Sequence, residues 1–403
     1  MLAKSVLNPL PATFLRGGTS KGIFLNRKHL PADTSQWPPI FLGIMGSPDP
    51  EHGRQLNGMG GGVSSLSKIC VVGEPSEQLR ADGIDVDYTF CQVGIRDESL
   101  DYSGNCGNLS SMVGVFAIDQ RMCKPRTRVS ESGHRLCTVR SYNTNTGKRI
   151  DTTFPISQGR DAFHMPHLSL PQTSIAGVPG LASRIDLDFV SPGGARTGKL
   201  LPTGNPVNTT DIIHPVPMSS EFTMRMSLVD ATNPTVIVSS EDLARVLNIP
   251  QTRLPAIPYG EPSTDQVLEA TRQHGAKLMG LDPSAQAQPK IVILSPAAKD
   301  DVDKADIVAH ALSMGVLHKA IPMTVGLCLG VAAQIPNTLA WEVVMKSRAS
   351  RGDAVTPSKG GLVKIRHPGG VVEVGAEFAS DGKVKTAKVV RTGRRLMKGD
   401  VWW

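Results

Sequence analysis

The chain has 403 residues, of which 40% are hydrophobic, 20% charged and 4% aromatic, and its formal net charge is +7. This composition suits a globular protein with a sizeable core, and no stretch is apolar and long enough to predict a membrane span. The N-terminus has neither the apolar segment of a secretory signal nor the repeated arginines of a transit sequence, so a cytoplasmic location is expected.

The positive charge is spread along the chain rather than concentrated. Single basic residues stand beside Gly, Ser and Thr, as at Arg16 and Lys21, and no aromatic residues alternate with them. This pattern favours small acidic ligands and argues against a nucleic-acid partner. The one basic cluster, residues 383–398, is interpreted as a solvated edge strand and tail. The six cysteines form no CxxC pair, so neither a metal site nor a disulfide framework is predicted.

The first predicted elements are two short strands, Ala12–Phe14 and Ile23–Leu25, joined by the loop RGGTSKG at residues 16–22. Glycines allow the turn, and the hydroxyl and cationic side chains are donors, so this loop can wrap an anion. The alternative is an ordinary hairpin turn.

A glycine-rich loop follows at residues 54–68. Its glycines predict a close approach either to a ligand or to another backbone. Lys68 leads directly into an apolar strand, Ile69–Val72. A partly desolvated lysine at a strand mouth can serve as a general base, and the alternative is a solvated lysine at the strand end.

Cys106 stands between two Gly/Asn pairs, and apolar residues at helical spacing follow it through Ala117. The pattern predicts a thiol at the N-terminus of a helix, where backbone N–H groups and the helix dipole favour a thiolate or a bound carboxylate. The alternative is a small buried cysteine ahead of a core helix.

The second half repeats these features. Residues 191–201 again combine a glycine pair, basic residues and a threonine, and residues 323–328 open an apolar helix at 329–335. Polar-faced helices are predicted at 240–247, with Ser240 as the cap, at 264–274 and at 301–317. Because a helix that is apolar on nearly all faces must be buried, we expect two similar lobes, each with a central helix wrapped by strands.

Six stretches together resemble the PrpF family, which includes 2-methylaconitate cis-trans isomerases, aconitate delta-isomerases and oxalomesaconate tautomerases. They are ATFLRGGTSKGIFL, RQLNGMGGGVSSLSK, DYSGNCGNLSSMVG, GGARTGKLLPTGNP, LHKAIPMTVGLC and VKIRHPGG. The resemblance covers nearly the whole chain and implies a diaminopimelate-epimerase-like α+β fold. Each lobe would be a strand barrel around a central apolar helix, with the active site in the interlobe cleft. The expected lobes are residues 1–188, with Lys68 and Cys106, and residues 189–403, whose final strands are candidates to cross back.

The resemblance also implies site residues. Lys68 and Cys106 fall on the catalytic positions. The candidate substrate-binding residues that it implies are Thr19, Ser20, Lys21, Ser64, Ser65, Ser103, Gly104, Asn105, Gly107, Asn108, His318, Lys319 and Thr324. The basic residues Arg16 and Arg54 are added from the composition of the first two loops. Pro322 stands where epimerases of this fold carry a second thiol, so Cys328 is expected to lie buried in its helix. His367-Pro368-Gly369-Gly370 lacks the serine of the HPSG-like pattern.

The expected activity is a cofactor-independent isomerase that moves a proton along an allylic system of an unsaturated tricarboxylate. Lys68 is assigned as the base and Cys106 as the acid, and the reverse assignment stays open. Interconversion of cis- and trans-aconitate is the first candidate, and 2-methylaconitate and 4-oxalomesaconate are alternatives. A non-catalytic tricarboxylate-binding accessory protein is an alternative of another class, as is a cysteine hydrolase. A second copy of the chain is a candidate partner, and no membrane partner is expected.

Overall fold

A computed structural model describes residues 7–102, 104–158, 164–213, 221–250, 257–285, 288–313, 315–353 and 361–403. Strands dominate and helices are few, which confirms the predicted α+β class. The chain divides into two compact units: Met1–Val190 with Val390–Trp403 form unit 1, and Ser191–Val389 form unit 2. Among the described residues, no helix has both the length and the apolar composition of a membrane span.

Unit 1 consists of strands that are joined by three helices among its described residues. The helices are α1 (Trp37–Met45), α2 (Glu77–Ala81) and α3 (Gly107–Asp119). The strands are β1 (Leu10–Gly17), β2 (Ser20–Asn26), β3 (Lys68–Gly73), β4 (Val86–Val93), β5 (Leu100–Asp101), β6 (Arg126–Val129), β7 (Arg135–Asn143), β8 (Lys148–Gln158), β9 (His164–Pro166), β10 (Thr173–Ile175), β11 (Val178–Ala182), β12 (Ile185–Val190) and β22 (Gly393–Val401).

Unit 2 has the same kind of construction. Its helices are α4 (Ser240–Val246), α5 (Pro262–Leu278), α6 (Met323–Ala332) and α7 (Leu339–Arg351). Its strands are β13 (Asn208–Ile213), β14 (Glu221–Ala231), β15 (Asn233–Ser239), β16 (Lys290–Ser295), β17 (Ile307–Ser313), β18 (Val316–Leu317), β19 (Val363–His367), β20 (Gly370–Phe378) and β21 (Val384–Arg391), whose last two residues belong to unit 1.

The two units repeat one pattern of strand pairing. In unit 1 the order is β22, β1, β2, β3, β4, β7, β8 and β12, and only the pairs β2–β3 and β4–β7 are parallel. In unit 2 the order is β13, β14, β15, β16, β17, β19, β20 and β21, and only β15–β16 and β17–β19 are parallel. The parallel pairs fall at the same places in both orders. Two similar lobes are thus confirmed.

Each unit encloses one apolar helix. In α3 every residue except Asn108 and Asp119 is buried, and the helix packs against β1, β2, β3, β7, β8 and β12. In α6 all residues from Val325 to Ala332 are buried, and the helix packs against β14, β15 and β20. Both helices lie in the connection between two parallel strands, which requires a crossover of this kind. The expectation of a central helix wrapped by strands is confirmed.

Three local predictions for unit 2 were wrong. The helix expected at 301–317 is instead β17 and β18, because Ile307, Ala309 and Ala311 are buried at a period of two, whereas a helix would bury every third or fourth residue. The cap of α4 is Ser239, whose hydroxyl accepts from Asp242 N, rather than Ser240. The apolar helix begins at Met323, directly after Pro322, so the expected opening turn is already helical.

Candidate active site

Cys106 immediately precedes α3, and its side chain is half-buried. Its carbonyl accepts hydrogen bonds from the backbone N–H and the hydroxyl of Ser110, which fixes the first turn of the helix. The Cys106 sulfur lies 3.9 Å from Ser20 Oγ. Free N–H groups in a first helical turn, together with the helix dipole, stabilise a negative charge at this position. The structure therefore confirms that the Cys106 thiol lies at the N-terminus of a helix, while its catalytic role stays a prediction.

The turn between β1 and β2 lies against the start of α3. Asn108 Nδ2 donates to Thr19 Oγ1 at 3.1 Å and to Ser20 Oγ at 3.4 Å. Gly18 has a φ of 52°, and a Cβ at this residue would overlap Asn108 Oδ1. Glycine is thus required both by the backbone conformation and by the close approach of the helix. The fold brings Thr19, Ser20 and Asn108, which the sequence analysis selected, next to Cys106.

The two basic residues of this loop already have protein contacts. Arg16 Nη1 donates to Gly18 O at 2.9 Å and to Thr392 O at 3.2 Å, so its guanidinium holds the hairpin turn against the chain before β22. Lys21 Nζ lies 5.6 Å from the centre of the Phe14 ring. Arg16 thus has a structural function that the sequence did not indicate, and substrate binding by either residue stays a prediction.

A buried polar network supports the turn that carries Cys106. Tyr88 OH donates to Asn105 Oδ1 at 3.1 Å and lies 2.8 Å from Ser110 Oγ. Asn105 Nδ2 also donates to Ser110 Oγ at 3.0 Å. Burial raises the pKa of Tyr88, which keeps its hydroxyl protonated and available as a donor. The amide of Asn105, a predicted substrate-binding residue, is therefore engaged in positioning Cys106.

Lys68 is the first residue of β3, and only 9% of its surface is exposed. It pairs in register with Gln92 of β4, and Lys68 Nζ donates to Gln92 Oε1. Gln92 Nε2 donates to Ser67 O at 2.9 Å, which directs the Gln92 oxygen toward the lysine. Lys68 Nζ also lies 5.1 Å from the centre of the Phe90 ring. The alternative of a solvated lysine at a strand end is thus wrong.

Cys106 and Lys68 both lie against β2, the first 3.9 Å from Ser20 Oγ and the second beside Gly22. Burial raises the pKa of the Cys70 thiol, the Cys106 charge raises it further, and the Lys68 charge lowers it. A Cβ on Gly22 would lie 2.7 Å from Leu109 Cδ1 and 2.8 Å from Lys68 O. Because Gly22 has no side chain, Leu109 of α3 and Lys68 of β3 can both pack against it.

The glycine-rich loop before β3 folds around its own side chains. The Asp49 carboxylate accepts from Arg54 N at 2.8 Å and from Gln55 N at 2.9 Å. The buried Gln55 accepts from Gly62 N at 3.0 Å, and a Cβ on Gly60 would overlap the Gln55 side chain. The close approach predicted from the glycines is therefore made to protein atoms.

Three residues of this loop, Arg54, Ser64 and Ser65, were predicted to bind the substrate. The side chains of Arg54 and Ser64 are exposed, and Ser65 is half-buried in the short 3-10 helix Ser64–Leu66 that leads to β3. Gly104 is half-buried and Gly107 is buried as the first residue of α3, whereas Ser103 lies outside the described residues.

The predicted residues of the second half all lie in unit 2. His318 and Lys319 are exposed, and His318 Nδ1 accepts from Ala320 N at 3.1 Å. Thr324 is half-buried in the first turn of α6, and its carbonyl accepts from Thr232 Oγ1 at 2.8 Å. Their participation in one site with the residues of unit 1 stays a prediction. Within the described parts of the chain, no group of three His, Cys, Asp or Glu residues could hold a metal ion.

The loop at residues 191–201 was expected to bind an anion, and its donors are bound by a carboxylate of the protein. Asp230 Oδ2 accepts from Arg196 N at 2.8 Å, from Thr197 N at 2.7 Å and from Thr197 Oγ1 at 2.9 Å. Asp230 is fully buried. This loop thus resembles the first loop in composition, but its hydrogen-bond donors bind a side chain of the protein itself. Cys328 is fully buried within α6, as expected.

Sequence reasoning missed several residues of the site in unit 1. Gln92, Phe90 and Tyr88 all come from β4, and only the pairing of β3 with β4 reveals that Gln92 faces Lys68. Arg391 lies in the basic cluster that was interpreted as solvated, yet only 7% of its surface is exposed. The two valines that precede it were the available signal, because a charged residue at the end of an apolar stretch is often enclosed.

Comparison with known proteins decides the family. The model of the PrpF protein family matches residues 8–403. The chain belongs to the PrpF family. It is 35% identical to the 3-methylitaconate isomerase of Eubacterium barkeri, over 98% of this chain and 97% of that protein. It is 33% identical to the 2-methyl-aconitate isomerase of Shewanella oneidensis, over 97% of this chain and 96% of that protein.

A solved structure agrees with these PrpF relatives. The crystal structure of a methylitaconate-delta-isomerase superposes with a TM-score of 0.79 at 33% identity, covering 99% of this chain and 96% of that chain. The likeness extends over both units. The predicted enzyme class is confirmed: this PrpF protein is an isomerase.

Proposed function

We propose that this PrpF protein catalyses an allylic 1,3-proton shift on a branched, unsaturated polycarboxylate without a cofactor. Aconitate is the first candidate, and 2-methylaconitate, 4-oxalomesaconate and 3-methylitaconate are the alternatives. The observation that carries the proposal is that Cys106 and Lys68 both lie against β2: Ser20 Oγ is 3.9 Å from the Cys106 sulfur, and a Cβ on Gly22, two residues further along, would lie 2.8 Å from Lys68 O. Donors able to bind a carboxylate stand beside the thiol, namely the hydroxyl groups of Thr19 and Ser20 and the start of α3.

The chemistry needs one proton to leave and one to return. A basic group removes a proton from the carbon next to a carboxylate, and the electron pair moves through the allylic system. An acidic group then protonates the far carbon, so the double bond migrates with no net oxidation. Because such carbon acids are weak, hydrogen-bond donors must stabilise the dienolate charge that develops. The N–H groups at the start of α3 suit this purpose.

The surroundings of the two groups favour Cys106 as the base and Lys68 as the acid, which is the reverse of the first assignment. Gln92 Oε1 and the Phe90 ring both stabilise an ammonium at Lys68. The start of α3 stabilises a thiolate at Cys106. In this arrangement the thiolate takes the first proton, and the ammonium delivers the second.

A substrate panel tests the activity. Purified protein is incubated with each of the four acids in deuterium oxide, and product geometry and isotope content are followed by NMR. We expect one acid to be isomerised with deuterium incorporated at the protonated carbon. Folded protein that turns over none of the acids would contradict the proposal. Binding without exchange would instead favour the accessory-protein alternative.

Two variants separate the roles of the catalytic groups. With Cys106 as base, Lys68→Ala still exchanges the acidic proton of the substrate for deuterium but isomerises it poorly. Cys106→Ser then loses both exchange and isomerisation. The opposite result, with exchange retained only in Cys106→Ser, would assign the base to Lys68. General acid or base catalysis contributes roughly 10²- to 10⁴-fold, so either effect is easily measured.

A further inference from the structure

Arg391 reaches the start of α3 from the far end of the sequence. It is the last residue of β21 and belongs to unit 1, and only 7% of its surface is exposed. Arg391 Nε donates to Asn108 Oδ1 at 3.1 Å, and Nη1 donates to Val390 O at 2.7 Å. Gly18 allows this packing, because a Cβ there would lie 3.1 Å from Arg391 Cδ. The guanidinium is therefore fixed beside the turn that carries Thr19 and Ser20.

This contact sets the orientation of the Asn108 amide. A guanidinium group only donates hydrogen bonds, so the Asn108 atom that faces Arg391 Nε must be the oxygen. The Asn108 nitrogen consequently faces the hydroxyl groups of Thr19 and Ser20 and donates to both. A hydroxyl that accepts one hydrogen bond keeps its own proton for another acceptor. Thr19, which is exposed, can thus donate to a carboxylate, and Ser20, which is buried, can donate to the Cys106 sulfur 3.9 Å away.

The guanidinium also places a positive charge near Cys106. Burial lowers the pKa of Arg391 to about 9, and the Cys106 charge opposes this decrease. A chain of contacts joins the cation to the sulfur, from Arg391 Nε to Asn108 Oδ1, from Asn108 Nδ2 to Ser20 Oγ, and from Ser20 Oγ to the sulfur 3.9 Å away. Since the start of α3 acts in the same direction, two independent features favour anions here.

We propose that Arg391 is a positioning residue of this site: by holding Asn108 Oδ1, it makes Thr19 a hydrogen-bond donor toward the substrate carboxylate and Ser20 a donor toward an anionic Cys106. The carboxylate half of this statement rests on the proposed function. The thiol half does not, because it concerns the protein without any substrate.

Three variants test the proposal, with a fourth as the matched control. Arg391→Met removes the charge and the donor, and Arg391→Lys keeps the charge but loses the planar Nε donor. Asn108→Asp keeps an acceptor for Arg391 but replaces the Nδ2 donor by an oxygen, so the two hydroxyls turn their protons inward. Arg394→Met is the control, because Arg394 lies in the same basic cluster and is exposed.

The first measurement is the rate of alkylation of Cys106 by iodoacetamide across pH, read from its peptide by mass spectrometry. Only thiolate reacts, so we expect Arg391→Met to slow alkylation at neutral pH about tenfold, in line with typical charge effects on thiols. Arg391→Lys should recover most of this rate, and Arg394→Met should match the wild type. Wild-type alkylation profiles in folded Arg391→Met and Arg391→Lys would overturn the thiol half, whether or not a substrate is known.

The second measurement is the division between KM and kcat for the acid that the panel identifies. Asn108→Asp and Arg391→Lys should each raise KM about tenfold or more. The new carboxylate of the first variant accepts the Thr19 proton, and the loss of the planar Nε donor in the second lets the Asn108 amide turn over. Normal KM values in both variants would overturn the carboxylate half. A panel with no active substrate would contradict the proposed function, and the alkylation profiles would still decide the contribution of Arg391.

Discussion

The starts of α3 and α6 occupy the same place in two repeated units, yet they carry different chemistry. Cys106 precedes α3, whereas Pro322, which has neither a thiol nor a backbone N–H, precedes α6. The second residue of α3, Asn108, directs its amide to the hydroxyl groups of a hairpin turn. At the same position in α6, the Thr324 carbonyl accepts from the hydroxyl of Thr232. In unit 1 the side chains of helix and turn bond to one another, whereas in unit 2 the turn hydroxyl is bound to the backbone of the helix.

The hairpin turns that contact α3 and α6 also differ between the two units. Gly18 in unit 1 has a φ of 52°, and Thr232 in unit 2 has a φ of 66°. A β-branched residue in this region is strained, and the hydrogen bond to Thr324 O offsets part of that cost. Unit 2 thus uses its turn to stabilise the fold. Unit 1 uses glycine there and leaves Thr19 and Ser20 to carry the polar groups.

The largest expected difference between the two units is in kcat, and the matched variants Cys106→Ser and Cys328→Ser test it. We expect Cys106→Ser to lose about 10³-fold in kcat, because the thiolate that takes the first proton is replaced by a hydroxyl group that stays protonated. Cys328 is fully buried, and burial raises its pKa to about 12. Cys328→Ser should therefore change kcat less than about twofold and lower the free energy of unfolding by ~1 kcal/mol. Equal kinetic losses would show that the two units do not differ in this way.

Removing the carboxylate that binds the second-unit loop should mainly destabilise the protein. Asp230→Ala leaves the N–H groups of Arg196 and Thr197 without their buried acceptor. Hydrogen bonds to a charged group are worth roughly 1.5–3 kcal/mol, so we expect a loss of about 3 kcal/mol in the free energy of unfolding. Urea unfolding measures it. An unchanged midpoint would mean that this loop does not depend on Asp230.

The close approach at Gly18 can be separated from its backbone conformation. Gly18→Ala combines a positive φ with an overlap on Asn108 Oδ1, whereas Gly133→Ala has a φ of 79° with no atom within 4 Å of the new Cβ. We expect Gly18→Ala to cost ~2 kcal/mol and to reduce activity, and Gly133→Ala to cost ~1 kcal/mol without a change in activity. Similar thermal midpoints and kinetics for both variants would contradict the packing argument.

The smallest expected effect concerns the glycine-rich loop at acid pH. Hydrogen bonds from Arg54 N and Gln55 N lower the pKa of Asp49 from 3.8 to about 2. Because the folded pKa lies below the unfolded one, Asp49 contributes its stabilisation above pH 3.8, and the contribution is lost as the pH falls toward 2. The free energy of unfolding of Asp49→Asn should therefore fall less steeply over this interval. Parallel curves for variant and wild type would refute the assignment.

Much of this site was predictable from local sequence. Glycines around Cys106 and the helical spacing of the following apolar residues predicted a thiol at a helix start, and the structure confirms that geometry. The continuous apolar run at Ile69–Val72 predicted the strand that Lys68 begins. The helix wrongly predicted at 301–317 had the alanines and leucines of a helix, but strand pairing at a period of two prevailed.

The sequence by itself determined which residues turn, which segments are buried and where the thiol lies, because each follows from neighbours in the chain. Only the tertiary structure decided that Lys68 faces Gln92, since that depends on the register of β3 with β4. It also decided that Arg391 meets Asn108, although 283 positions separate them in the chain. Strand register and the enclosure of a charge are set by packing between distant segments, and no local pattern encodes them.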